Sequence, residues 1–105
     1  MSMNNPDHFN VLRKIKSKPN STQRELAKDL GFSVGKLNYC LNALIKKGLI
    51  KIENFGKNPN KLQYRYLLTP KGISIKIQLT LAFMKKKMQE YDELKKEIEN
   101  NLNEK

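Results

Sequence analysis

Six residues fall close together on one helix-forming segment: Ser33, Gly35, Lys36, Asn38, Tyr39 and Asn42. None is a nucleophile beside a base, but together they suit the reading of a nucleic acid. An Asn amide can bridge adenine, a Lys reaches guanine or phosphate, and a Tyr touches a thymine methyl or a phosphate. Gly35 lets the N-terminus of a helix come close to an anion, offering its backbone N–H groups. A second polar cluster, Lys57, Asn58, Asn60 and Lys61, lies in a turn-forming stretch with Arg65 just beyond it. It offers contacts to phosphate or to a minor groove. The plainer alternatives are a solvated helix face and a polar hairpin tip.

Other chemistry finds little footing. His8 is the only histidine, and no Cys or acidic cluster stands beside it at metal-ligand spacing, so no metal is expected. Gly31-Phe32-Ser33-Val34-Gly35-Lys36 is one residue short between its glycines for a phosphate loop and lacks Ser or Thr after the lysine. Cys40, three residues after Leu37, reads as a small, half-buried hydrophobe rather than a reactive thiolate. No nucleophile, base and orienting group can be assembled. The expectation is a protein that is not an enzyme and holds no cofactor.

Charge points to a polyanion. Twenty-one Lys and Arg against ten Asp and Glu leave +11 over 105 residues. Residues 1–72 hold 14 basic and 4 acidic side chains, whereas residues 73–105 hold 7 and 6. The surplus therefore lies with the two polar clusters. The chain lacks the long apolar run of a membrane span, and Met1 to Pro6 lacks the regions of a signal peptide. One cysteine cannot form an internal disulfide, which fits a reducing cytosol. A cytoplasmic protein with no membrane partner is expected.

The elements that must position these residues are legible from their punctuation. Asn5-Pro6 caps and opens a first helix with Phe9, Val11, Leu12 and Ile15 inward, stopped by Lys18-Pro19-Asn20. Thr22-x-x-Glu25 is a capping box for a second helix, with Leu26, Ala27 and Leu30 inward and Gly31 at its end. Ser33 caps a third, whose buried stripe is expected to be Val34, Leu37, Leu41, Leu44 and Ile45, ending at Gly48. Leu49 to Ile52 and Leu62 to Leu68 alternate as two strands of a hairpin. Thr69-Pro70 opens a last helix with apolar residues at Ile73, Ile77, Leu81, Met84, Met88, Tyr91, Leu94, Ile98 and Leu102. That spacing averages near the coiled-coil period, and a helix from Pro70 to Asn100 would be roughly 46 Å long. A short domain cannot cover so long a stripe, so a second copy is expected on it.

The order predicts a mainly α fold with a small β-wing: a winged helix-turn-helix over residues 5–69, followed by a dimerisation helix over 70–102. Gln23-Arg24-Glu25-Leu26-Ala27 through Lys47-Gly48-Leu49-Ile50, closed by Leu68-Thr69-Pro70-Lys71-Gly72, resembles the MarR family of bacterial winged-helix regulators. Gly35-Lys36-Leu37-Asn38-Tyr39-Cys40-Leu41 with Asn60 to Gly72 is similar to its small subset associated with exopolysaccharide gene clusters. The resemblance implies a homodimer that binds double-stranded DNA at a pseudo-palindromic operator. Full-size relatives carry a further N-terminal helix that builds a phenolic-ligand cleft. Here only residues 1–21 precede the second helix, and a small-molecule effector is left open. Two other classes compete. A protein-interaction module predicts a neutral or apolar reading face, and non-specific packaging explains charge without amides and a tyrosine.

Overall fold

Caps and apolar spacing fix the helices. The computed structural model describes residues 5–53 and 64–103. Helix α1 spans Pro6–Ser17, α2 Gln23–Leu30, α3 Val34–Lys46, and strands β1 (Ile50–Glu53) and β2 (Arg65–Leu68) precede the long α4 (Pro70–Asn103). Asn5 accepts the Asp7 N–H at 2.9 Å, with proline in the first turn, so α1 begins where expected. At α2 the capping box is complete. The Thr22 hydroxyl accepts the Glu25 N–H at 3.2 Å, and the Glu25 carboxylate accepts the Thr22 N–H at 3.1 Å. The Thr22 hydroxyl also donates to the Glu25 carboxylate at 2.8 Å, and this bond, followed by the one from the Thr22 N–H, holds the carboxyl below its ordinary value. Gly31 closes the helix at φ 69°, a left-handed conformation that a β-carbon would strain.

The two strands pair antiparallel, Ile50 opposite Leu68 and Glu53 opposite Arg65. An isolated bridge joins Thr22 to Arg65, so the segment before α2 also touches the sheet. One core lies beneath. Val11, Leu12 and Ile15 of α1, Leu26 and Ala27 of α2, and Leu37, Cys40, Leu41 and Leu44 of α3 meet Leu49, Ile50 and Tyr66 there. Each fully buried leucine contributes roughly 1.5–3 kcal/mol. Val34 departs from expectation. It is 47% exposed, because helical spacing sets it at the edge of the buried stripe formed by Leu37, Cys40, Leu41 and Leu44. Cys40 takes the inward place instead and is fully rather than half buried.

The start of α4 is clasped to the turn after α3. The Thr69 N–H donates to the Leu49 carbonyl at 3.0 Å, and its hydroxyl donates to the Gly48 carbonyl at 2.6 Å. The same hydroxyl accepts the Gly72 N–H at 3.0 Å, and Lys71 Nζ donates to the Lys47 carbonyl at 3.2 Å. Gly72 lies so close to this turn that a β-carbon would stand 1.9 Å from the Leu49 oxygen. Beyond the clasp, Ile75 and Leu79 pack on the core, and Phe83 meets Phe9 of α1 with ring centroids 5.5 Å apart. From Leu81 onward α4 is exposed, and no helix among the described residues is long and apolar enough to cross a membrane.

His8 is the unexpected core residue. It is 1% exposed, and neither ring nitrogen has a hydrogen-bond partner. Burial, assisted by Lys47 and opposed by Asp7, pushes its pKa below the ordinary 6.5. The unfolded chain therefore takes up this proton first on acidification. The stability that His8 supports is present above about pH 6.5 and declines as the pH falls through and below that value. Thermal melting should thus drop more between about pH 7 and 5.5 for the wild type than for His8→Leu. Equal drops would show that the imidazole charges freely within the fold.

Two glycines should behave oppositely. Gly72→Ala forces backbone apart at the clasp and should cost at least about 3 kcal/mol. Gly35→Ala meets open space within α3. It should raise stability by about 0.5–1 kcal/mol, because alanine loses less backbone freedom in a helix. Urea titration separates the two. A Gly72→Ala protein as stable as wild type would show that the clasp is not tight.

Candidate nucleic-acid interface

Because Leu37, Cys40, Leu41 and Leu44 take the inner face of α3, the polar residues between them are turned out. Ser33, Gly35, Lys36, Asn38, Tyr39 and Asn42 are all exposed, Tyr39 to 71%. Gly35, Asn38, Tyr39 and Asn42 fall within one side of the helix, and Lys46 continues it four residues past Asn42. Lys46 is a residue that the spacing of the sequence adds to this face. Beside it, Tyr39, Asn42, Ala43 and Lys47 line a shallow, open depression on the outer surface of α3. Ile45 completes its lining, which is largely apolar between the exposed amide of Asn42 and the ammonium groups of Lys46 and Lys47.

The N-terminal half of α3 carries its own electrostatics. The Ser33 hydroxyl accepts the Lys36 N–H at 3.1 Å, so Ser33 is the helix cap. The Lys36 ammonium sits 4.3 Å from the centre of the Phe32 ring and 3.3 Å from the Asp7 carboxylate. Both ion-pair partners are close to half exposed, so the pair is weak in water. It nevertheless holds Lys36 beside α1 in the absence of a ligand. No local pattern in the sequence signals Asp7, because its partner lies on another helix.

Cys40 stands within the same helix but faces the core at 3% exposure. Burial, reinforced by Asp7 and opposed by Lys36, pushes its thiol above the ordinary range. That is the reverse of what a redox-sensing thiolate needs.

Of the hairpin residues, Arg65 is described. It opens β2, pairs with Glu53 and bridges Thr22. Its charge also helps to hold the Glu25 carboxyl down. Lys57, Asn58, Asn60 and Lys61 lie outside the described residues. On α4, Ile77, Leu81, Met84, Met88, Tyr91, Leu94 and Ile98 are exposed by half or more, whereas Ile73, exposed at 36%, borders a groove it shares with Leu67 and Leu68. Among the described residues no group of His, Cys, Asp and Glu is placed to hold a metal.

Comparison with known proteins agrees with this geometry. Residues 8–51 match the family described as winged helix-turn-helix DNA-binding. A search of curated protein sequences finds no match. Among solved structures, Staphylococcus aureus MarR in complex with salicylate and kanamycin is 25% identical, with a TM-score of 0.69 over 91% of this chain and 71% of that one. A mutant of E. coli MarR complexed with operator DNA is 31% identical, with a TM-score of 0.61 over 70% of this chain and 51% of that one. The transcriptional repressor CouR, bound to a 23-mer DNA duplex, is 22% identical, with a TM-score of 0.73 over 92% and 67%. Residues 8–51 are thus a winged helix-turn-helix of the DNA-binding type, on a fold shared with the MarR regulators.

Proposed function

We propose that this protein is a homodimeric transcriptional regulator of the MarR type that binds a pseudo-palindromic operator through α3. The observation that carries the reading is the outer face of α3. It presents a glycine, two amides, a phenol and lysines on a helix whose other face is locked into the core. Base edges are read by such amides, while lysines and a helix N-terminus hold phosphates. The basic excess of the first 72 residues supplies the long-range attraction. Lys57, Asn58, Asn60, Lys61 and Arg65 are assigned to backbone or minor-groove contacts, and the exposed stripe of α4 to the second copy. The similarity of Gly35 to Leu41 to the exopolysaccharide-associated subset nominates surface-polysaccharide genes as targets. A genome-wide binding map tests that assignment.

Asn38→Ala or Tyr39→Ala should weaken binding to the preferred site by about 1–3 kcal/mol, with less effect on random DNA. Equal losses on both DNAs would assign these residues to the backbone, and no loss on either would remove α3 from the interface.

Asp7 should act in the opposite sense. It competes with phosphate for the Lys36 ammonium and adds a negative charge beside the reading helix. Asp7→Asn should therefore tighten DNA binding several-fold at low salt and steepen the salt dependence by up to about 0.9 per protomer. The part of the gain that comes from freeing Lys36 should vanish in a Lys36→Met background, leaving only the smaller effect of the removed charge. Weaker binding by Asp7→Asn would instead mean that the ion pair orients Lys36 for its contact.

A further inference from the structure

The long helix α4 has two apolar faces with different roles. Ile75, Leu79 and Phe83 are spent on its own domain, but a second stripe stays exposed over the rest of the helix. Ile77, Leu81, Met84, Met88 and Tyr91 follow the alternating four-and-three spacing of a coiled-coil seam. Continued in the same frame, the seam passes through Lys95 to Ile98 and Leu102. Charge divides the helix in the middle. Residues 71–87 hold five lysines and no carboxylate, whereas residues 88–103 hold five carboxylates and two lysines.

Resting on the homodimer reading above, we propose that two copies pair through this stripe with their α4 helices antiparallel, centred between Gln89 and Glu90. In this register Met88 faces the partner's Tyr91, Leu81 faces the partner's Ile98, and Ile77 faces the partner's Leu102. Every such pair is apolar. Lys95 then lies against the partner's Met84, where its aliphatic stem covers the thioether while the ammonium reaches water. Each lysine-rich half lies along the acidic half of the other helix, and the two-fold axis repeats that match. A parallel pair would set Lys95 against its own copy within the seam. It would also lay the five-lysine segment against five more lysines. Like charges brought within a Debye length of about 8 Å repel, so the parallel arrangement is selected against.

Cross-linking in the full-length protein tests the orientation, because native Cys40 is buried and does not compete. Leu81→Cys and Ile98→Cys are prepared singly and mixed under oxidising conditions. A disulfide needs Cα atoms within about 7 Å, and the antiparallel register separates the two copies of residue 81 by about 26 Å along the axis. The expected result is a disulfide dimer in the mixture and none in either variant alone. Spin labels at Gln78→Cys, on the exposed flank of α4, provide a reading that leaves the seam untouched. They should lie about 35 Å apart along the axis if antiparallel, against less than about 20 Å if parallel. Disulfides within each single variant, or the short spin distance, would overturn the orientation while leaving the dimer. A sedimenting dimer that yields neither disulfide nor the long distance would place the interface elsewhere. A monomer at micromolar concentration would overturn the dimer reading itself.

Discussion

The clasp between the Gly48–Leu49 turn and the start of α4 is the constraint on which the rest of the structure depends. Three hydrogen bonds to the Lys47, Gly48 and Leu49 carbonyls and the close approach of Gly72 meet at that short turn. On one side of it ends the helix that carries the candidate reading face, and on the other begins the helix that carries the unpartnered stripe. The hairpin leaves and returns at the same place, with Ile50 paired to Leu68. Any movement of α4 relative to the core is therefore felt at the C-terminus of α3. A domain joined to its dimerisation helix by a loose linker would lack this coupling. Here the two elements are joined directly, because backbone carbonyls at the end of α3 accept the bonds from the start of α4.

The same economy governs α3. Its inner face is filled by Leu37, Cys40, Leu41 and Leu44, so its outer residues are free of any structural duty apart from Ser33 and Lys36. Ser33 caps the helix and leaves the positive end of its dipole at the surface. Lys36 is held by Asp7 and Phe32, so an internal anion occupies the ammonium that the proposed reading gives to a phosphate. A half-exposed ion pair of this kind is worth little to folding. Its consequence lies in competition: an anion that displaces Asp7 must offer more than one carboxylate does, and a phosphate backbone does so through its density of charge.

Local chemistry made much of this legible in the sequence. Thr22 with Glu25, Ser33, Gly31 and Thr69-Pro70 act within one turn of chain, and the structure forms each cap where the residues demand it. Apolar spacing likewise found α1, α2 and α4. What escaped depends on contacts between elements. His8 is polar by type, yet its place on α1 carries it inside with both nitrogens unpaired. Val34 is apolar by type, yet it stands where no neighbour covers it. The Asp7–Lys36 pair and the Thr22–Arg65 bridge join residues far apart in sequence, so no local signal could have announced them.

α4 shows why one apolar pattern can hide two. A helix with a single buried stripe repeats every three to four residues, and so does the union of two neighbouring stripes over a short stretch. Between Ile73 and Met84 the inward set of Ile75, Leu79 and Phe83 runs beside the outward set of Ile73, Ile77, Leu81 and Met84. The spacing alone cannot say which set faces the domain. Gly72 decides it: only one rotation of the helix brings a residue without a β-carbon against the Leu49 carbonyl. Once that rotation is fixed, Ile75 and Leu79 must turn to the core and the other set must turn away. The exposed stripe is thus a geometric consequence of the clasp, not an independent feature of the tail.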